Sequence, residues 1–317
     1  MASSLMAEPP LTENISETTP VREFELADLA QPLHDWVKFA GPAFAIALLA
    51  ATAWIVGRGD LYQLTGLVPR HPAFWGLIAL YLAIPPLCDF VIFRRLWQLP
   101  ATGIAALFRK NASNEILLGY LGEVQFYAWA RQHARLNASP FGAVKDVAIL
   151  SAMTGNAVTL LLLCMAWPFV GSLALGKATG PVLWSVAVLL GSSLVVGLFR
   201  NRILSLGRAD CWYTTAVHLV RTILSIVLLA LLWHTVLPAI APQWWLLMAA
   251  GRQLMTRLPF LPNKDLAFAG LATFLTGGVP GAPSAVLLVG TLLFAGWVAI
   301  GAALALSELA QSRLIRR

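Results

Sequence analysis

The chain has 317 residues, of which 58% are hydrophobic and only 12% charged, and its mean hydropathy is +0.74; a soluble domain carries about 25% charge. Its apolar runs lack strand-like alternation and exceed the roughly ten residues of a barrel strand, so a soluble fold and a β-barrel are both excluded in favour of an all-α, polytopic helical membrane protein. The net charge of +7 reads as basic flanking charge of cytoplasmic loops, and no basic cluster interleaved with aromatics points to a nucleic-acid partner.

Met1 to Pro10 has neither a basic n-region nor an apolar core, so no cleaved signal peptide is expected. Residues 1–36 hold Glu8, Glu13, Glu17, Glu23, Glu25, Asp28 and Asp35 against Arg22, a balance of −6 that leaves +13 for residues 37–317. They read as an acidic, disordered cytoplasmic tail preceding an integral membrane domain. Apolar length and periodicity predict helices over 37–57, 73–93, 145–169, 181–199, 212–236, 243–257, 266–278 and 285–306, eight spans with both termini cytoplasmic. Pro85-Pro86 should kink or break the second of these, and Asp89 should form a local ion pair with Arg94 and Arg95.

The apolar piece 113–130 is interrupted by Glu115, Glu123 and Gln125 and has bases on both sides, among them Arg109, Lys110, Arg131 and Lys145. Cytoplasmic charge at both ends predicts a re-entrant hairpin or an interfacial segment, and Gly119 and Gly122 would let the backbone break there. On an unbroken helix Glu115, Glu123 and Arg131 would share a face. The segment 243–265 is a second short, charged, apolar piece. One broken segment in each half makes a two-half pseudo-repeat, which in transporters points to a site near the bilayer midplane.

The strongest functional signal is a polar stripe. Thr214, His218, Arg221 and Ser225 recur at helical spacing within an otherwise apolar helix. A mid-bilayer arginine costs about 3 kcal/mol or more unless it meets a partner, cavity or water. The stripe therefore lines a polar ligand site, or pairs with an acid such as Glu123. Glu123 reads as a coordinating or proton-carrying group. Near Pro259 and Pro262, Arg252 and Arg257 precede Asn263, a helix N-cap that would favour a phosphate or carboxylate, and Asp265 follows. Ser151, Gly155 and Thr159 form a small-residue row read chiefly as helix packing, while the neighbouring Asn156 could bond a headgroup.

No phosphate-binding glycine loop, serine-nucleophile elbow or zinc-protease motif is present, and no nucleophile–base pair stands out. Cys88, Cys164 and Cys211 fit neither a disulfide framework nor a metal site, so no metal or cofactor is expected.

The layout over residues 37–306 resembles the membrane-domain family of lysylphosphatidylglycerol synthase, a flippase-like group. Gly122-Glu123 matches that family's Gly-Glu in a broken helix, and Pro259 to Asp265 resembles its second broken helix. The family's arginine soon after Gly-Glu is absent, the second turn lacks glycines, and Asp265 stands in place of glutamate. Nothing up to Arg317 resembles the aminoacyl-transferring domain. The resemblance implies a stand-alone translocator of the bacterial inner membrane. Its ligand would be an anionic membrane lipid or lipid-linked headgroup held by Arg221, Arg252 and Arg257, with Glu123 and Asp265 balancing charge or meeting a cationic part of the headgroup. A homo-oligomer or an envelope-biosynthesis partner is compatible with this. Two other classes remain open: a membrane enzyme with His218 as general base, and a non-catalytic envelope-assembly subunit.

Overall fold

A computed structural model describes residues 66–116, 121–133, 140–170, 191, 204–255, 268 and 281–315, all within a compact unit spanning 47–317. The described residues contain helices and no strand. The helices are α1 (Pro72–Trp97), α2 (Gly103–Ile116), α3 (Leu121–His133), α4 (Pro140–Val170), α5 (Arg208–Val236), α6 (Pro242–Met255) and α7 (Ala282–Ile315). Among the described residues, four stretches are long and apolar enough to cross a membrane: Pro72–Trp97, Phe141–Leu162, Arg208–Val236 and Ala282–Ser307. They are compatible with an integral membrane protein. The tail 1–36 and the helices expected over 37–57, 181–199 and 266–278 lie outside the described residues, Gly191 and Phe268 excepted.

The start of α1 follows from its sequence. Pro72 sits at the first helical position, where its missing N–H is not needed, and the His71 ring accepts a hydrogen bond from the Ala73 backbone at 3.2 Å. The helix ends at Gln98, which adopts the left-handed conformation at φ 50°; Pro100 cannot continue the turn. Of the kink or break expected at Pro85-Pro86, no break occurs, since α1 runs through both prolines. The two lost backbone bonds are offset by packing against α5 and α2 along its length.

The segment 113–130 is not one helix. It contributes to two described helices, α2 up to Ile116 and α3 from Leu121, which pack against each other as two arms. Glu115 therefore belongs to a different helix from Glu123 and Arg131. The first arm begins at Gly103, earlier than the apolar pattern indicates. Gly122 explains how closely the arms approach: a Cβ there would lie 2.0 Å from the Lys110 carbonyl oxygen, so only glycine fits.

Helices α1 and α5 run antiparallel, as Arg95 near the end of α1 pairs with Asp210 near the start of α5 at 2.9 Å. Arg95 also lies over the Tyr213 ring. Two apolar clusters form the core. One joins Phe74 to Ile84 of α1 with Ala112, Val158, the run from Ile226 to Val236, and residues of α6 and α7. The other joins Ile92 to Trp97 with Leu107, Phe126, Ala130 and Ala143 to Val147. On each of α1, α2, α4 and α5 one stretch of residues falls between the clusters, and those stretches carry Asp89, Lys110, Ser151, and His218 to Arg221. The fold thus sandwiches a polar layer between two apolar ones.

Candidate functional site

At the centre of the polar layer is Asp89, fully buried on α1. Its expected partners, Arg94 and Arg95, lie five and six residues on, which turns them to other faces of the helix. Arg94 donates to the Leu99 carbonyl and Arg95 pairs with Asp210. Asp89 instead accepts from Lys110 Nζ of α2 at 2.6 Å and from Arg221 Nη1 of α5 at 3.3 Å. Asn111 Nδ2 approaches it at 3.5 Å while donating to the Leu107 carbonyl at 2.9 Å. One carboxylate thus takes two cations from two helices, which is how a buried charge becomes tolerable.

Each cation reaches one step further. Lys110 Nζ lies 3.5 Å from Glu123 of α3, and Arg221 Nη2 donates to Ser151 Oγ of α4 at 2.6 Å. Glu123 is held in turn by Asn114, whose amide nitrogen donates to both carboxylate oxygens at 3.2 and 3.0 Å, while Asn114 Oδ1 accepts from the Gly122 backbone N–H. The result is a row of alternating sign, Glu123–Lys110–Asp89–Arg221, crossing four helices. Lys110 lies outside the four candidate spans. Burial disfavours its ammonium, but the carboxylates of Asp89 and Glu123 outweigh that and hold it charged above the ordinary lysine range.

The row borders a cavity of about 320 Å³, at the lower end of the roughly 300–1,000 Å³ of small-molecule sites. Tyr81, Pro85, His218, Ser225, Arg252 and Trp297 also line it. Among the described residues its charged lining is balanced, with Lys110, Arg221 and Arg252 against Asp89, Glu115 and Glu123. His218 is 1% exposed, and neither ring nitrogen makes a hydrogen bond among the described residues. The Val147 backbone is a weak hydrogen-bonding neighbour of the ring. An imidazole desolvated in this way leaves one donor and one acceptor for an occupant of the cavity.

Compared with family models, characterised proteins and solved structures, the chain matches none. The site therefore rests on its own geometry.

Of the residues singled out from sequence, Glu123, His218, Arg221 and Arg252 all face this one cavity. Arg221 meets Asp89, not Glu123. Asn156 lies on α4, partly buried, away from the cavity lining. Arg257 and Asp265 fall outside the described residues. Ser151, read as packing, accepts from Arg221. The residues missed are Lys110 and Asn114. A signal for them existed in the Lys-Asn-Ala-Ser-Asn run 110–114, which sets Lys110 and Asn114 one helical turn apart on one face, but Lys110 was grouped with the loop bases around it.

Proposed function

We propose that this protein is a membrane-embedded carrier that takes the phosphate-bearing headgroup of a lipid or lipid-linked molecule into its polar layer, a flippase-like role. The observation that carries this reading is the 320 Å³ cavity, lined by Arg221, Lys110, Arg252 and an unpartnered His218, between helices long and apolar enough to span a bilayer. Ionisable residues within apolar spans are costly and mark ligand pathways, and guanidinium and ammonium groups are the usual phosphate ligands. A cavity of this size fits a headgroup and leaves the acyl chains outside among lipid. The resemblance to the membrane domains of lysylphosphatidylglycerol synthase supports the same role. On this reading the protein sits in a bacterial inner membrane with both termini cytoplasmic.

The test is mass spectrometry of lipids retained by the full chain in mild detergent, wild type beside Arg221→Ala. One phosphate-bearing lipid class enriched in wild type and lost from the variant is the expected outcome. Enrichment unaffected by the substitution would reduce the stripe to helix packing and favour an assembly subunit over a carrier. A translocation assay in liposomes with the same pair then separates carrying from binding alone.

A further inference from the structure

The charge row has a closed middle and two open ends. In its middle, Lys110 and Asp89 meet at 2.6 Å with side chains 8% and 1% exposed, so each is occupied by the other. The ends are held more loosely and are more accessible. Glu123 lies 3.5 Å from Lys110 and is 19% exposed; Arg221 lies 3.3 Å from Asp89 and is 21% exposed. A carboxylate has about four acceptor sites and a guanidinium five donors. Glu123 uses its sites on Asn114 and the distant Lys110, and Arg221 two donors on Asp89 and Ser151, among the described residues. Both line the same cavity, with unpartnered His218 also in its wall.

We infer that the cavity is bipolar and selects a net-neutral headgroup carrying both a phosphate and an ammonium, with the ammonium at Glu123 and the phosphate at Arg221 and His218. The inference rests on the headgroup reading above and narrows it. Charge balance supports it independently of any single contact. Among the described residues three cations and three carboxylates line the cavity, and against that balanced lining a net-anionic headgroup would bring a charge without a counterpart into a low-dielectric interior, where it is heavily penalised. A zwitterion adds no net charge and meets a partner at each end. A free phosphodiester bearing an ammonium presents the same chemistry as the lipid headgroup, so the two sources are separated by experiment.

The full chain in mild detergent is offered equal amounts of phosphatidylethanolamine and phosphatidylglycerol with identical acyl chains, with diacylglycerol as the phosphate-free control. Retention is read by native mass spectrometry. The expected result is a preference of about tenfold for phosphatidylethanolamine, the value of one charge-assisted hydrogen bond. Glu123→Gln should abolish or reverse that preference, whereas Arg221→Gln should weaken retention of both phospholipids alike. Equal retention or a preference for phosphatidylglycerol in wild type overturns the bipolar assignment and leaves the headgroup reading standing. Retention of neither phospholipid above the diacylglycerol control overturns both. Free glycerophosphoethanolamine, a phosphodiester of the same net charge as the lipid headgroup, binding as tightly as the lipid would keep the bipolar site and overturn the lipid carrier. Where Glu123→Gln does not give monodisperse protein, the wild-type ratio decides.

Discussion

At the scale of single residues, Asp89 carries the layer. Removing one partner of a buried pair costs about 3–5 kcal/mol, because the remaining charge is left uncompensated. Asp89→Ala should lower unfolding stability by about that amount, read by thermal or denaturant unfolding in detergent. Combining Asp89→Asn with Lys110→Met should recover part of the loss, since neither half of the inner pair is then orphaned. His218 behaves differently. At most a weak contact to the Val147 backbone is lost in His218→Leu, so stability should change little while lipid retention falls; loss of both together would mean the ring is structural. That Arg221 needed a polar counterpart was readable from its place in an apolar helix. Its partner was not, because 132 residues separate Arg221 from Asp89 and helical periodicity carries no information across helices. Asp89 itself was visible as a lone acid in an apolar run, but nearby Arg94 and Arg95 drew the assignment away.

At the scale of elements, the α2–α3 arms depend on one missing methyl group. A Cβ on Gly122 would be 2.0 Å from the Lys110 carbonyl and 2.7 Å from Asn114 Oδ1. Gly122→Ala should therefore push the arms apart, move Glu123 away from Lys110 and lower both the thermal midpoint and lipid retention. Gly76→Ala on α1, where nothing lies within 4 Å, is the control and should change neither. The glycine pattern announced a break in 113–130, but not where the first arm starts, because Gly103–Ile116 is on average little more apolar than a loop. The proline pair misled in the opposite direction. Local backbone rules indicated a kink or a break, and tertiary packing on both sides keeps the helix unbroken.

At the scale of the whole molecule, exposed aromatics mark two levels. Trp212 is 72% exposed near the start of α5, beside Arg95 and Tyr213, and Trp75 is 46% exposed near the start of the antiparallel α1. Arg95 and Trp75 are 20 residues apart on α1, about 30 Å at roughly 1.5 Å per residue, which matches the hydrocarbon thickness of a bilayer. Tryptophans at both levels are the expected interfacial belts. Asp89 then lies about 9 Å inside the nearer level. Nitroxide labels at 75, 212 and 224 test this in liposomes. Oxygen accessibility should peak at 224, and a water-soluble nickel chelate should reach only 75 and 212. Equal accessibility at all three would contradict a spanning α5. The outward side chains of α5, Leu219, Val220, Ile223, Leu224, Val227 and Leu231, are all well exposed, as a lipid-facing surface requires.

The order of synthesis gives the buried acids different histories. Asp89 meets Lys110 only 21 residues later, about 1 to 4 s at roughly 5–20 residues per second. Asp146, fully buried on α4, accepts from the backbone N–H groups of Ser205 and Leu206 and from Ser205 Oγ. Those donors emerge about 59 residues behind it, some 3 to 12 s later at the same rate. During that interval the ribosome has delivered a membrane helix whose buried carboxylate has not yet met these donors. A translational delay within 171–203 would prolong that exposure, so synonymous codons there have a direct route to the yield of correctly inserted protein.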